Sequence, residues 1–492
     1  MRLGWFSPFP PVRTGIAACS AELVAALGRR GHEIDRYPES AAHDFVWRHR
    51  QAPYDLVVYQ FGNSSHHDYE WAYAVKYPGL VVLHDTRLHH ARAAFLLREK
   101  RVAEYRAEFQ WNHPGVSPDL AELAIAGFDS RLYYDWPMAR TLVASSRLVA
   151  VHGEGARREL IASMANATTP NAQSTPNSQE EPNFQADLCE RVVSIRLGHG
   201  RLVTPAEETE ARNRVRARYG IAQDAVLFGV FGGLTPEKRL PQILSAFRAL
   251  LPHAPSARLL LAGAPAPYYD VAAGIAAAGL TDHVTLTGYV ETDESLTDHL
   301  AACDVTLNLR WPTARETSGP WLRALAAGKA TVVTDLAHMT DLASLDPRTW
   351  AVHGPSASGF RLWEERTPAT NDSALAVPSD PKPEAQSPKP LCVAIDILDE
   401  DHSLRLAMRR LAADAALRER LGRAARDWWA RDHSIEAMAD DYERVMREAA
   451  DRPDPDVDLP EHLRDAGDRK LETLMAPFGR DLLARRSLGG GA

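Results

Sequence analysis

Short apolar runs alternate with helix-length segments along most of the chain, and that rhythm constrains its fold more than any other feature. Residues 2–6, 55–59, 79–83 and 147–151 are runs of buried-strand type. The first is followed by a Pro/Gly loop over 8–15 and an expected helix over 16–30, and residues 31–34 open the next extended segment. Residues 88–141 read as mostly helical. A second series opens at 225–231, with a helix at 240–251 and strands at 257–261, 284–286 and 304–309. It continues with a helix at 320–327 and a strand at 330–334. Strands apolar on both sides need cover on both faces, and intervening helices supply it over a parallel sheet. A chain of 492 residues is too long for one ordinary core. The expectation is α/β: two Rossmann-like doubly wound domains facing a cleft, over residues 1–205 and 222–425, with the boundary between 202 and 222.

Two segments break the pattern by composition. Residues 165–185 are rich in Asn, Thr, Pro, Ser and Gln, and 356–390 in Pro, Ser and Ala. Both read as disordered surface insertions without a part in chemistry. Residues 404–449 read as helical with Trp428 and Trp429 as anchors, and 426–450 are expected to cross back to the first domain. An acidic, Pro-containing linker over 451–460 follows, then one more helix over 461–486 in the tail that ends at 492.

Composition narrows the partners. A net charge of −9 argues against general nucleic-acid binding, which needs a basic surface. Cys19, Cys189, Cys303 and Cys392 lie far apart without a CxxC pair, so neither a zinc site nor a disulfide scaffold is indicated, and a reduced cytosolic setting fits. The opening residues hold too short an apolar run for a signal peptide. No stretch reaches the roughly 18–20 apolar residues of a membrane span. The expected protein is soluble and cytoplasmic, with peripheral contact with a membrane surface still open.

The strongest chemical signal is the run Glu316, Thr317, Ser318, Gly319 at an expected strand–loop–helix junction. Unpaired backbone N–H groups at a helix start, approachable through glycine, suit an anion such as a diphosphate. Glu316 would repel phosphate, so it fits better as an acceptor for sugar hydroxyls; an ordinary capping arrangement is the plain alternative. A second signal is the strand over 228–231 that delivers Gly232 and Gly233, with Lys238 and Arg239 just before a helix. In doubly wound sheets ligands lie beyond the carboxyl ends of strands, so these groups converge with Glu316. Lys238 would offset charge on a departing diphosphate and Arg239 add a planar contact; solvated surface charge is the alternative.

These residues resemble the retaining glycosyltransferases of the GT-B fold, family four (glycosyl transferases group one). Glu316–Gly319 with the helix to Gly328 resembles the family's acidic donor-site motif, and Gly232–Lys238 its phosphate loop. Gly15, with Pro11 and Thr14 before it, resembles its N-terminal glycine loop, and Arg29–Glu33 its helix end. The match runs through residues 1–450 outside the two insertions. Two positions depart from it. Arg323 stands where the family commonly has a second glutamate, which would meet the nucleoside ribose, and Gly233 stands where it commonly has arginine. Arg239 and Arg310 are the candidates for the missing guanidinium.

In the first half, Asn63 and the pair His84–Asp85 follow apolar strands. The resemblance puts His84 beside the transferring sugar, where a histidine stabilises positive charge or holds a hydroxyl. The ligand spacing around His84 and Asp85 is not that of a zinc motif, so no metal is expected. Gly153 and Gly155 form a partial dinucleotide fingerprint without its third glycine, read as a structural turn. Residues 288–290 resemble the loop whose backbone reads the nucleobase, with Tyr289 and Val290 as contacts or as ordinary packing, and Gly263 would neighbour the nucleoside.

The resemblance implies transfer of a sugar from a GDP- or UDP-linked donor to a glycan or lipid-linked acceptor. Retention of configuration, with no metal and no cofactor beyond the nucleotide-sugar substrate, comes with it. The alternatives are a nucleotide-sugar hydrolase or epimerase of the same fold, and a sugar-nucleotide-binding protein that has lost catalysis, suggested by Gly233 and Arg323.

Overall fold

A computed structural model of the chain describes residues 1–128, 131–166, 181–313, 317–335, 342–353 and 389–464. Glu316 therefore lies outside the described residues, as do most of both expected insertions and the tail beyond 464. The chain divides into two compact units. The first comprises Met1–Val151, Leu160–Val193 and the chain from Tyr442; the second comprises His152–Glu159 and Ser194–Asp441.

The first unit is built on strands β1 (Arg2–Phe6), β2 (Glu33–Tyr37), β3 (Leu56–Phe61), β4 (Leu80–Leu83), β5 (Leu148–His152) and β6 (Val192–Ile195), in the order β2-β1-β3-β4-β5-β6. The pairs β1–β2, β1–β3, β3–β4 and β4–β5 are parallel. Period-two alternation sends Phe6 to one face, where its ring packs with Tyr37, Phe45 and Tyr59 at centroid distances of 5.1, 5.0 and 5.0 Å. Trp5, pointing the other way, stacks on Tyr442 at 5.8 Å. The helix Gly15–Arg29 starts at Thr14, whose hydroxyl accepts from the Ala17 amide at 3.1 Å.

The span expected to be broadly helical is divided into the short helices His89–Arg98, Val102–Asn112, Asp119–Ile125, Leu132–Asp135 and Arg140–Ser145. They bury their own cluster around Tyr105, Phe109 and Met138. The expected insertion over 165–185 is helical at its edges, since helices run over Glu154–Asn166 and Glu181–Glu190.

The second unit carries β7 (Leu227–Phe231), β8 (Arg258–Ala262), β9 (Val284–Gly288), β10 (Val305–Asn308), β11 (Ala330–Thr334), β12 (Ser344–Leu345), β13 (Val352–His353) and β14 (Cys392–Ile395), in the order β13-β12-β14-β11-β10-β7-β8-β9. Only the short β12–β13 pair is antiparallel among the described pairs. Phe228, Val230, Leu259 and Leu261 belong to one core, while Leu227, Phe231, Leu260 and Ala262 belong to the other. That split is the sequence alternation made physical: helices cover both faces.

The helices Glu400–Ala413, Ala415–Asp432 and Ile435–Asp451 close the described fold. Trp429 anchors them as expected, its indole N–H donating to the His199 carbonyl at 3.0 Å, and Trp428 lies on His433 with a 4.0 Å centroid distance. The segment expected as a linker makes specific contacts within the first unit. Arg147 pairs with Asp454 at 2.7 Å, the Trp111 indole donates to the Asp458 carbonyl at 2.9 Å, and Leu459 is buried. Beyond it the described helix spans only Glu461–Arg464, with His462 2.7 Å from Glu108. None of the four cysteines is paired, and no described helix is long and apolar enough to cross a membrane.

Candidate functional site

Strand order locates the site before any side chain does. In the second unit the order reverses at β7, with β8 on one side and β10 on the other, and ligands of doubly wound sheets bind outside the carboxyl ends at such a switch point. Gly232 follows β7 directly, in the left-handed region at φ +87°. A Cβ there would sit 3.1 Å from Lys238 Nζ and 3.3 Å from Pro320 Cγ. Gly232 thus lies between the lysine ammonium and the first turn of the helix Gly319–Ala326. Gly263, after β8, comes so close that a Cβ on it would lie 2.0 Å from the Gly232 carbonyl oxygen. Backbone bonds lace this edge: Gly232 N–H donates to the Ala262 carbonyl at 3.0 Å and Leu234 N–H to the Ala264 carbonyl at 2.8 Å, and Gly263 bridges Gly288. Gly233 is exposed, with open space where a side chain would project.

Lys238 ends the turn Pro236–Lys238, and its ammonium donates to the Phe231 carbonyl oxygen at the end of β7. Arg239 has a different commitment. It sits at φ +60° as the N-cap of the helix Leu240–Leu250, and its guanidinium Nε donates to Glu400 at 2.8 Å. The second cation of the expected pair is therefore a clamp to the helix Glu400–Ala413. The loop after β10 is tied to the same turn by Trp311 N–H donating to the Glu237 carbonyl at 2.8 Å. Arg310, expected as a stand-in guanidinium, lies in that loop, its amide donating to the Thr334 hydroxyl at 3.2 Å.

Ser318 is the N-cap of the helix Gly319–Ala326, accepting from the Trp321 amide at 3.3 Å, and the Thr317 hydroxyl donates to the His152 carbonyl at 3.2 Å. The plain capping reading holds for Ser318. Gly319, first in the helix, lies against His199: a Cβ would be 2.9 Å from its Cδ2.

Arg323, expected near the nucleoside ribose, is held by two side chains of its own unit. It is buried, its Nε donates to His199 Nε2 at 2.9 Å, and its terminal nitrogen meets Asp293 at 3.1 Å. Burial, with the guanidinium adding to it, pushes the His199 pKa down to about 3. The imidazole is neutral, with Nε2 as acceptor. His199 carried no motif in the sequence; its only local signal is the flanking pair Gly198 and Gly200. Tyr289 is exposed, and Val290 packs against the core that holds Leu227.

In the first unit, the carboxyl ends of β3 and β4 carry side chains. The Asn63 amide donates to Asp85 Oδ2 at 2.6 Å, and Asn63 Oδ1 accepts from the Ala91 amide at 2.9 Å at the start of the next helix. His84 Nε2 is 2.8 Å from Gln60 Oε1, and the Tyr442 hydroxyl donates to that same oxygen at 3.1 Å. Beneath them His67 Nδ1 and Glu70 Oε1 lie 2.9 Å apart, both buried. Burial lowers the His67 pKa to about 4 and raises that of Glu70, so it works against the charged form of both partners. Gly62 makes room for this, since a Cβ would be 2.4 Å from Ile16 Cδ1 and 3.0 Å from His67 Nε2. Gly15 starts the first helix with nothing within 4 Å of a built Cβ. Among the described residues no group of three His, Cys, Asp or Glu side chains is placed to hold a metal ion.

Two parallel sheets with helices on both faces and closing C-terminal helices make this a GT-B fold, and solved structures share it. Sucrose-phosphate synthase from Thermosynechococcus elongatus is 14% identical over 91% of this chain and 98% of its own, with a TM-score of 0.56. The Anabaena protein Alr3699/HepE, in complex with UDP and glucose, is 12% identical over 91% and 99%, at 0.53. The catalytic domain of starch synthase IV from Arabidopsis thaliana, bound to ADP and acarbose, is 13% identical over 92% and 99%, at 0.54. In sequence, residues 225–354 match the family model described as glycosyl transferases group 1. That span begins just before β7 and covers β7 to β13, and the match and the fold together support a glycosyltransferase. No protein of curated function matches the chain in sequence.

Proposed function

We propose that the chain moves a sugar from a nucleotide-sugar donor to a glycan or lipid-linked acceptor, with retention of configuration and without a metal. The observation that carries the reading is the cradle at the end of β7: Gly232 between the Lys238 ammonium and the helix start at Gly319. Backbone approach, one cation and a helix N-terminus at a switch point suit a diphosphate. When the bond from the anomeric carbon to the diphosphate breaks, negative charge grows on the leaving group, and Lys238 offsets it. Gly263, Tyr289 and Val290 are assigned to the nucleoside and Glu316 to the sugar hydroxyls. His84 is assigned to the transferring sugar, and Gly15, Asn63 and Asp85 to the acceptor side. UDP in the HepE complex and ADP in the starch synthase complex are nucleoside diphosphates, which supports a nucleotide-sugar donor; a GDP- or UDP-linked one is proposed here.

One observation favours a second reading, a sugar-nucleotide-binding protein without turnover: Arg323 is committed to His199 and Asp293. Calorimetric titration of the full chain with UDP, GDP and ADP, in excess EDTA, tests the first reading together with anomeric analysis of the transfer product. Tight diphosphate binding with turnover on an acceptor supports transfer. Binding without turnover on any acceptor leaves the second reading, and turnover restored only by magnesium or manganese removes the metal-free assignment.

A further inference from the structure

The second unit holds a cavity of about 540 Å³ that the proposed transfer does not use. Its wall includes Lys389 and Pro390, which immediately precede β14, and β14 runs parallel to β11. It therefore adjoins the amino end of β14, whereas Gly232 and Gly263 stand at the carboxyl ends of β7 and β8. Ligands of the reaction belong at the carboxyl edge.

The lining is amphiphilic in an ordered way. Leu417, Arg420, Leu421 and Asp427 share one face of the helix Ala415–Asp432, so two apolar side chains and a guanidinium enter the cavity together. Four cations, Lys389, Arg410, Arg420 and Arg423, meet one carboxylate, Asp427, in a chain whose net charge is −9. Arg410 is partly neutralised by Asp414 at 2.9 Å and lies over the Trp350 ring at 5.7 Å. Among the described residues Arg420 and Arg423 make no hydrogen bond or ion pair, although Asp414, the partner of Arg410, also feels the charge of Arg420.

Trp350 supplies an independent observation. Its φ is +58°, a left-handed conformation that costs a bulky residue of order 1–3 kcal/mol and persists only where its surroundings enforce it. Trp350 N–H donates to the Asp346 carbonyl at 2.7 Å, which holds that conformation and keeps the indole in the cavity wall.

We propose that this cavity binds a phosphate monoester with an apolar or aromatic body: the phosphate on Arg420 and Arg423, the body on Trp350, Leu417 and Leu421. Guanidinium groups bind phosphate through paired donors, and the indole offers a flat face. The same chemistry comes from a soluble phosphorylated compound or from the headgroup of an anionic lipid. Two probes separate the sources: phenyl phosphate in calorimetry, and vesicles of phosphatidic acid in flotation, each with the full chain. Saturable binding of phenyl phosphate, weakened about tenfold for each guanidinium lost in Arg420→Ala and Arg423→Ala, supports a soluble ligand. Flotation that depends on the same two residues, without phenyl phosphate binding, supports a lipid headgroup. UDP titration of each variant is the control for folding, because the carboxyl-edge site lies elsewhere, and the Lys variants at both positions should retain part of the affinity. Binding of neither probe, or binding equal in wild type and in the Arg420→Ala/Arg423→Ala double variant, overturns the proposal.

Discussion

The two sheets finish differently at their carboxyl edges. In the second unit the edge is mostly main chain: Gly232 and Gly263 are packed against each other, and one lysine stands beside them. In the first unit it is side chains: Gln60, Asn63, His84 and Asp85, joined by hydrogen bonds to one another or to neighbouring elements. A bare backbone edge can approach a flat, charged group closely and offers donors that never reorganise. A side-chain edge offers directional acceptors and a titratable ring. On the proposed function the first is matched to a diphosphate and the second to hydroxyl groups, so that one architecture, used twice, serves two recognition chemistries.

The largest way to break that contrast is Gly263→Ala. Its Cβ would lie 2.0 Å from the Gly232 carbonyl oxygen, and backbone cannot swing aside as a long side chain can. Diphosphate binding should disappear, with a stability cost of at least about 1–3 kcal/mol by chemical denaturation. A Gly263→Ala protein that binds UDP or GDP like wild type would show that the close crossing is not what forms the site.

Lys238→Ala should weaken diphosphate binding and slow transfer by about 10²–10³, the usual cost of losing one electrostatic stabiliser. His84→Ala should slow transfer while leaving diphosphate affinity unchanged, and Glu316→Gln should do the same. Steady-state kinetics beside calorimetry separates the cases. If His84→Ala abolished nucleotide binding and Lys238→Ala had no effect, the roles given to the two edges would have to be exchanged.

How much of this was legible in the sequence follows from what kind of interaction carries each feature. Strands at 227–231, 258–262 and 330–334 were readable because burial on both faces writes a short, mostly apolar run. That Gly232 and Lys238 stand together at the end of β7 was readable because their local order resembles a known loop. The bond from Arg239 to Glu400 was not legible, since the partner lies 161 residues away and an ion pair leaves no periodic trace. The same holds for Arg323, whose partners His199 and Asp293 are 124 and 30 positions away. The segment 451–460 reads as a linker from its Pro and Asp content, yet single contacts from Asp454, Asp458 and Leu459 fasten it. Composition reports average solvation, and a few specific contacts can override it.

Arg323→Ala sharpens the comparison from the interior side. Asp293 is 59% exposed, so solvent screens that ion pair and its loss costs little. The cost lies with His199, whose Nε2 would lose its donor inside the protein, about 1–3 kcal/mol. The sign with pH follows from the folded value of about 3 against an ordinary 6.5. Folding favours the neutral ring, so the stability it contributes is complete above 6.5 and is lost as pH falls from there toward 3. Removing the guanidinium removes one cause of the lowering, so the His199 midpoint should move upward in an NMR titration. An unchanged stability together with an unchanged midpoint would mean that the bond at 2.9 Å carries no energy.

The smallest expected effect tests whether the side-chain edge is tuned or merely packed. Tyr442 is fully buried, so its hydroxyl needs an acceptor, and Gln60 Oε1 at 3.1 Å provides one. His84 Nε2 lies 2.8 Å from the same oxygen, so one side-chain oxygen joins the Tyr442 hydroxyl to the ring. Tyr442 comes from the helix Ile435–Asp451, so a C-terminal element shares its partner with a ring at the end of β4. Tyr442→Phe should cost about 0.5–1.5 kcal/mol of stability, the net worth of one hydrogen bond. Freed from that donor, the Gln60 amide can rotate and offer its NH2 to His84, so kcat should fall a few-fold with donor KM unchanged. The effect on kcat should vanish when His84 is already alanine, because the two changes act through one ring. A Tyr442→Phe enzyme with lowered stability and an unaltered kcat would reduce the chain from Tyr442 through Gln60 to His84 to ordinary core packing.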